Sequence, residues 1–576
     1  MGSRRLLQFW IVVFTMVFAG ISSAQSQIEY LEAKPMWHVV QGKAQPISSD
    51  RQVPLITWGG DVATILADLQ GTFKKEGLDV EVYTENNFVK QVENVLTGKT
   101  PYLRGTMGMI NTANEVFERN GLKLRFVYQI SWSNGDDAMV ARSNIRRPSD
   151  LRGKTIALQR YGPHVDYVAN ILQSANVPLS SVKFKWLREL TLPTYDAKGK
   201  VLDPVSAFRE DSSIDAVMAI IPDALALTSD GKVGTGAEGS VKGAHILLTT
   251  QTANKVIADV YVVREDYYQT NQSKVEKFTH ALLIAQEQLD NLLKAKSGRQ
   301  AEYRQLVAKS ATLLFGASQA TAEVEGLLAG GCYFVGHTGN AQFFTGSGTT
   351  RTFTNLNSEI QDSFSEMGLI GSKAKLLGAE WNYNALAAGL ATAKTVAAAA
   401  VPSPAFDKGR AEARVAKEIS AELSSWENGT LFVVEVSFQP NQKVFTETQY
   451  SSDFAKALKL VQTYGGALVT VEGHSDPMGL AQARQKGENP QVLSQIEQVG
   501  KNLSLDRANA VKASFLVYAK KSGVNLAGDD FVAVGMGIRA PKFKEPKTKD
   551  EWLDNMRVVF RIKQIEAELS EFKSIK

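Results

Sequence analysis

Apolar positions along this chain follow two alternating rhythms. Short β-branched runs at Pro54–Trp58, Leu78–Tyr83, Lys154–Leu158 and Asp215–Ile221 read as strands. Between them, Asp61–Glu76 and Tyr161–Ala175 carry the amphipathic spacing of helices. The alternation runs from Pro54 to about Leu390 and predicts an α/β architecture with mainly parallel sheets, while residues 275–325 read as almost wholly helical. Alanine then dominates Ala385–Ala400, and Val401-Pro-Ser-Pro404 follows, a helix and its stop. Residues 385–428 are therefore expected to link a first module, 52–384, to a last one. From 430 onward the order is strand, helix, strand, loop, helix, strand, helix, strand, which fits a compact α+β sandwich.

The amino terminus has a different pattern. Arg4-Arg5 precede an apolar run, Phe9–Ala19, and small residues follow at Ser22-Ser23-Ala24. This is the order of a secretory signal, residues 1–24, with cleavage after Ala24. The alternative is an uncleaved anchor, for which the run is short. Residues 25–50 are polar and irregular, a lead-in to the first module.

Composition narrows the function classes. A length of 576 residues implies two or three domains. A formal charge of +4 is too small at this length to argue for nucleic acid. The single cysteine, Cys332, excludes an intrachain disulfide, and no cysteine follows the signal to carry a lipid. Six scattered histidines, with no metal-ligand spacing, nucleophile elbow or phosphate loop, leave little for catalysis. The expectation is a non-catalytic protein without metal or cofactor.

The most specific chemistry lies near the end. Gly473-His474-Ser475-Asp476 closes a strand-like run, and Asn502–Ala508 sets Arg507 on the next helix. An aspartate and an arginine so placed suit a small zwitterion, Asp476 taking its ammonium and Arg507 forking onto its carboxylate. With Val434–Phe438 running into Gln439-Pro440-Asn441, and with Gly535–Pro541 and Asn555–Phe560, these motifs resemble the OmpA-like peptidoglycan-binding domain over 430–565. The resemblance implies that Asp476 and Arg507 hold the diaminopimelate of the peptidoglycan stem peptide, with Asn441 shaping the pocket. It also implies the periplasm of a Gram-negative envelope, against the wall and beneath the outer membrane. Residues 480–500 form an insertion that the simplest members lack, and their polar text suggests a loop with a short helix.

Residues 52–384 resemble the periplasmic solute-binding proteins of nitrate/taurine/sulfonate-type ABC importers. The resemblance rests on an ordered series: Trp58-Gly59-Gly60, Phe73–Leu78, Arg146–Ala157, Tyr161-Gly162-Pro163-His164, Ile214-Asp215-Ala216, Pro222-Asp223-Ala224 and Ile257–Tyr268. It implies a two-lobed, type II periplasmic-binding-protein fold with Asp137–Arg142 and Asp259–Arg264 as the crossings between lobes. Gly59, Gly60 and Gly162 lie where strands give way to helices, so backbone N–H groups are expected to face the cleft and favour an anionic or strongly polar solute. Trp58, Met107, Tyr161 and His164 are the expected walls, and Pro222 and Asp223 complete the candidate site. Ile220-Ile221-Pro222 departs from the aromatic-proline wall common in relatives, which leaves the ligand class open. The glycine- and aromatic-rich Gly330–Thr345 reads as a structural connector or a cleft-edge loop.

The combined expectation is a solute receptor tethered to peptidoglycan, with an ABC permease or other envelope component as partner. Two alternatives stand beside it: a ligandless scaffold between the wall and another protein, and an enzyme of the thiamin-pyrimidine type, since fold does not fix function.

Overall fold

Residues 27–191, 194–395, 415, 429–439, 442 and 444–564 are described by the structure, a computed structural model. The expected export signal, most of the expected linker and the candidate Asn441 lie outside the described residues. Among the described residues no helix is long and apolar enough to cross a membrane.

The first module begins with β1 (Gln52–Leu55), α1 (Asp61–Leu69), α2 (Thr72–Lys75), β2 (Glu81–Thr84), α3 (Phe88–Leu96), β3 (Tyr102–Thr106), α4 (Met107–Arg119) and β4 (Leu124–Ser133). A second lobe follows: β5 (Asp137–Ala141), β6 (Thr155–Gln159), α5 (His164–Ser174), β7 (Lys183–Leu187), α6 (Pro204–Glu210), β8 (Ala216–Ile220), α7 (Ile221–Leu227) and β9 (His245–Thr249). The chain returns to the first lobe through β10 (Ala258–Arg264), α8 (Glu265–Lys294), α9 (Gln300–Phe315), α10 (Thr321–Leu328), β11 (Cys332–Phe334), α11 (Gly336–Thr345), α12 (Phe353–Glu366), β12 (Leu377–Gly378) and α13 (Tyr383–Leu386).

Lobe one carries the sheet β11-β4-β10-β3, with β12 also on β4 and the parallel pair β1-β2 beside it. Lobe two carries β7-β6-β8-β5-β9. The sheets are mixed, not mainly parallel. β5 and β10 arrive from the opposite lobe and run antiparallel to both neighbours, whereas β6 lies parallel to β7 and β8. Every residue of β5 and β10 is buried, which follows from strands covered on both faces. Asp137–Arg142 and Asp259–Arg264 are thus central strands within the lobes. The crossings are the short stretches before them, residues 134–136 and 250–257.

Two segments outside the expected bounds pack onto this frame. Leu386, Leu390 and Ala393 are buried, and the N–H groups of Ala391 and Thr392 donate to Glu287, so the module's packing runs on past 384. The polar lead-in is also fixed. Leu31 N–H donates to Trp186 O (2.8 Å) in lobe two, whereas Gln45 N–H donates to Leu96 O (3.0 Å) and Ser48 N–H to Gly98 O (2.7 Å) in lobe one.

The last module contains β13 (Thr430–Ser437), α14 (Ser451–Thr463), β14 (Leu468–His474), α15 (Met478–Gln485), α16 (Pro490–Lys521), β15 (Phe531–Gly537), α17 (Lys549–Asn555) and β16 (Arg557–Lys563). Its sheet runs β13-β16-β14-β15, with β14 parallel to β15 and antiparallel to β16. The stripe Ser504, Ala508, Val511, Phe515 and Ala519 turns one face of α16 onto that sheet. Val415, within the expected linker, packs with Leu468, Val534 and Met536. The 480–500 insertion is more regular than expected. It forms most of α15 and the first turns of α16, which starts at Pro490 under an Asn489 side chain that accepts from Val492 N–H (3.0 Å).

Candidate functional site

The facing ends of the two lobes hold a buried polar network. On lobe one, Arg104 of β3 is 0% exposed. It forks onto Asp61, the first residue of α1 (Nη2 to Oδ2, 2.7 Å), and reaches Asp259 of β10 (Nη1 to Oδ1, 2.8 Å). One guanidinium thus serves two carboxylates in a dry interior, where removing one partner is far costlier than on a surface. Ser131 Oγ donates to Asp259 Oδ2 (3.1 Å), and the Trp58 indole N–H donates to Ser131 Oγ (3.4 Å). Gly59 and Gly60 continue this corner. A Cβ on Gly59 would meet Leu327 O at 2.7 Å, and one on Gly60 would meet Ser131 Oγ at 2.8 Å. These glycines let the turn lie flat against β4 and α10.

At the crossings, Ser133 Oγ donates to Asp137 Oδ2 (2.5 Å), while Thr250 Oγ1 accepts from Gly135 N–H (2.9 Å) and Asp137 N–H (3.1 Å). His164 Nε2 pairs with Asp137 Oδ1 at 2.8 Å, and its Nδ1 is buried without a partner. Tyr161 adopts left-handed backbone (φ 62°), uncommon for a bulky residue, and its hydroxyl donates to Lys34 O (2.5 Å). Gly162 follows, with the Gln159 side chain against it.

The lobes touch directly. Asp166 Oδ2 accepts from Gly108 N–H in the first turn of α4 (3.3 Å), and burial pushes its carboxyl up to about 8. Asp136 is raised to about 7 by burial and then by Asp137, with its carboxylate against Gly331. Helix α12 also spans both lobes. Gln173 Nε2 donates to Ser363 Oγ (2.7 Å) and Ser180 N–H to Glu366 Oε1 (3.0 Å) from lobe two, while Phe353 lies against Phe126 of lobe one (5.0 Å between centroids).

Of the expected cleft residues, Trp58, Gly59 and Gly60 share one corner and Tyr161, Gly162 and His164 another. Met107 is wholly buried in the hydrophobic core and Pro222 is exposed, with Asp223 buried beside it. The expectation of helix ends open to an anion meets a different arrangement. Asp61 and Asp166 stand in the first turns of α1 and α5, and Asp166 already takes the N–H of Gly108. Sequence reading passed over Arg104, Asp136, Asp166 and Asp259. The signal for two of them was a charge inside an apolar run, Tyr102–Thr106 and Ala258–Val263. Cys332 packs beside Gly59, and Gly330–Thr345 supplies β11, the edge strand of the lobe-one sheet, as well as α11.

In the last module, Asp476 follows β14, its Oδ1 accepting from Met478 N–H (2.8 Å) and its Oδ2 from Asn555 Nδ2 (3.2 Å). Arg507 on α16 is 5% exposed, lies over the Phe438 ring at 4.6 Å, and has a buried Nε without a partner. Burial lowers its pKa. Among the described residues Asp476 and Arg507 form no ion pair with each other. Beneath them Arg561 forks onto buried Glu472 (2.7 and 3.0 Å), which lies 3.8 Å from His474.

Residues 62–289 match the family described as NMT1/THI5 like. No curated protein matches the chain. Among solved structures, the chain is similar to the periplasmic aliphatic sulphonate-binding protein SsuA from Escherichia coli (16% identity, covering 57% of this chain and 96% of that one, TM-score 0.38). It is similar also to the alkanesulfonate-binding protein SsuA from Xanthomonas axonopodis pv. citri bound to MOPS (14%, 58% and 100%, 0.37). A third is the periplasmic nitrate-binding protein NrtA from Synechocystis PCC 6803 (13%, 47% and 67%, 0.33).

Proposed function

We propose that the protein is a non-catalytic periplasmic receptor for a small polar solute, tethered to peptidoglycan by its last module. The observation that carries the receptor reading is the convergence of Asp61, Arg104 and Asp259 from one lobe with Asp137, His164 and Asp166 from the other at a two-stranded crossing. The match of residues 62–289 to a family of this lineage supports it. The charge of the cleft refines the solute. Five aspartates face one arginine and one histidine, and burial keeps Asp136 and Asp166 high in pKa, so a neutral or cationic polar molecule fits better than an anion. An ABC permease is the natural partner of such a receptor.

The wall tether rests on Asp476 and Arg507. A buried guanidinium with an unpartnered Nε, in the same module as a carboxylate with which it is not paired, suits a ligand carrying both an ammonium and a carboxylate. Diaminopimelate of the stem peptide has that chemistry; Asn441, which lies outside the described residues, is the third residue proposed for it.

Native mass spectrometry of the full chain, purified without refolding, tests the receptor. A discrete bound mass lost in Trp58→Ala establishes it. A clean apo mass, with no thermal shift across amines, amino acids, pyrimidines, sulfonates and nitrate, moves the reading to a ligandless scaffold. One observation favours that second reading: residues 31–48 and α12 tie the lobes together beyond their two crossings.

A further inference from the structure

The end of α14 and the turn after it meet the first module at three places that belong to different moving parts. Tyr464, wholly buried, donates its hydroxyl to Asn170 Oδ1 on α5 of lobe two (2.9 Å), while its ring packs on Phe432 of its own sheet (4.4 Å). Thr463 O accepts from Lys255 N–H (3.3 Å), and Gly466 N–H donates to Thr252 O (3.2 Å), both on the second crossing. Gln462 Oε1 accepts from Thr350 N–H (2.6 Å) and Thr349 Oγ1 (3.0 Å), and Lys459 pairs with Glu359 of α12 (3.0 Å). Glu359 in turn holds Arg351 (2.8 Å), whose Nε donates to Lys255 O (3.0 Å). The contact at Gly466 is backbone on backbone, for a Cβ there would stand 2.0 Å from Gln251 O.

We infer that the last module is an intramolecular clasp, which holds the two lobes closed while docked and frees them to open when it leaves. Opening a two-lobed hinge rotates lobe two against lobe one and changes backbone torsions in the crossings. Here Asn170 moves with lobe two, Thr349–Thr350 lead into α12, which bridges the lobes, and Thr252–Lys255 are the crossing itself. One helix end grips all three, so rotation breaks at least one set of bonds. Behind this seam, within the first module, a cavity of about 20 Å³, room for one water, is lined by Asp166, Asn170, Val256, Arg351 and Glu359. Closure of the lobes is thereby linked to where the last module sits, whichever solute the cleft takes.

Double electron–electron resonance on the full chain tests this, with Cys332→Ala as background. Labels at exposed Lys75→Cys and Lys232→Cys report lobe separation, and labels at Lys75→Cys and Lys520→Cys report docking. Lys459→Glu places like charges across the seam; the side chain is 42% exposed, so the fold tolerates the change. Gly466→Arg is the second undocking variant. The expected result is a longer, broader lobe distance whenever docking is lost. A lobe distance that stays put after undocking overturns the clasp. So does a module that remains docked in both variants, because the named contacts then do not hold it.

Discussion

Asp166 of lobe two accepts a hydrogen bond from the backbone N–H of Gly108 in lobe one, so a carboxyl group of one lobe sits against a helix start of the other. This contact needs close backbone approach. A Cβ on Gly108 would stand 2.8 Å from the Asp166 carboxyl carbon and 3.0 Å from Phe364.

The same carboxyl makes stability depend on pH. Its pKa is raised from 3.8 to about 8 by burial, so the folded state binds a proton that the unfolded state has released. That contribution is complete below about pH 4 and is lost as pH rises through 8. The first module's Tm should therefore fall between pH 5 and 8, by an amount on the order of a few kcal/mol in stability. Asp166→Asn should flatten the slope. Calorimetry across that range checks it, and an unchanged slope refutes it.

The last module should respond in the opposite sense. Burial alone would raise the Glu472 carboxyl, but its hydrogen bond with His474 and the Arg561 fork outweigh that and hold it at about 2, while burial lowers His474. For both groups the unfolded state binds more protons as pH falls, so stability drops below about pH 6.5 for His474, and from about 4.5 towards 2 for Glu472. Glu472→Gln should remove the acid part of that loss. Circular dichroism of acid unfolding, read beside the first module's transition, separates the two trends.

Arg104→Met should cost about 3–5 kcal/mol, because Asp61 and Asp259 are left buried without their cation. Adding Asp61→Asn and Asp259→Asn should recover much of it. Urea unfolding of the single and triple variants gives the comparison.

Arg507→Ala should abolish co-sedimentation with purified peptidoglycan while leaving Tm nearly unchanged. The arginine's buried Nε has no partner, so its removal deletes a desolvation cost along with the cation–π contact to Phe438. Gly473→Ala should do the reverse and lower Tm, since the new Cβ would lie 1.8 Å from Ser504 O. Retained sedimentation in Arg507→Ala removes the proposed role.

Much of the architecture was legible because period-2 runs and amphipathic stretches fall where strands and helices form, as at Lys154–Leu158 and Tyr161–Ala175. The direction of β5 and β10 was not, because strand polarity depends on which lobe the chain comes from, and local pattern carries no trace of that. The corner at Trp58–Gly60 was readable from a strand-to-helix turn. Asp166 was not, because it looks like an ordinary first-turn acid until α4 is packed against it. Gly473 stood out as part of a motif, yet its role here is to let α16 approach β14.

The segment tying the lobes from the amino-terminal side also constrains how the chain folds. Leu31 bonds to Trp186 and Glu29 to Val201, partners far downstream, while Gln45 and Ser48 bond to the nearer Leu96 and Gly98. The stretch emerges early yet cannot finish docking until lobe two exists, so its outer part waits on long-range loop closure. During that wait Leu31 is an uncovered apolar side chain. Assembly of the two lobes therefore ends at the stretch around Glu29 and Leu31, whose partners lie far downstream.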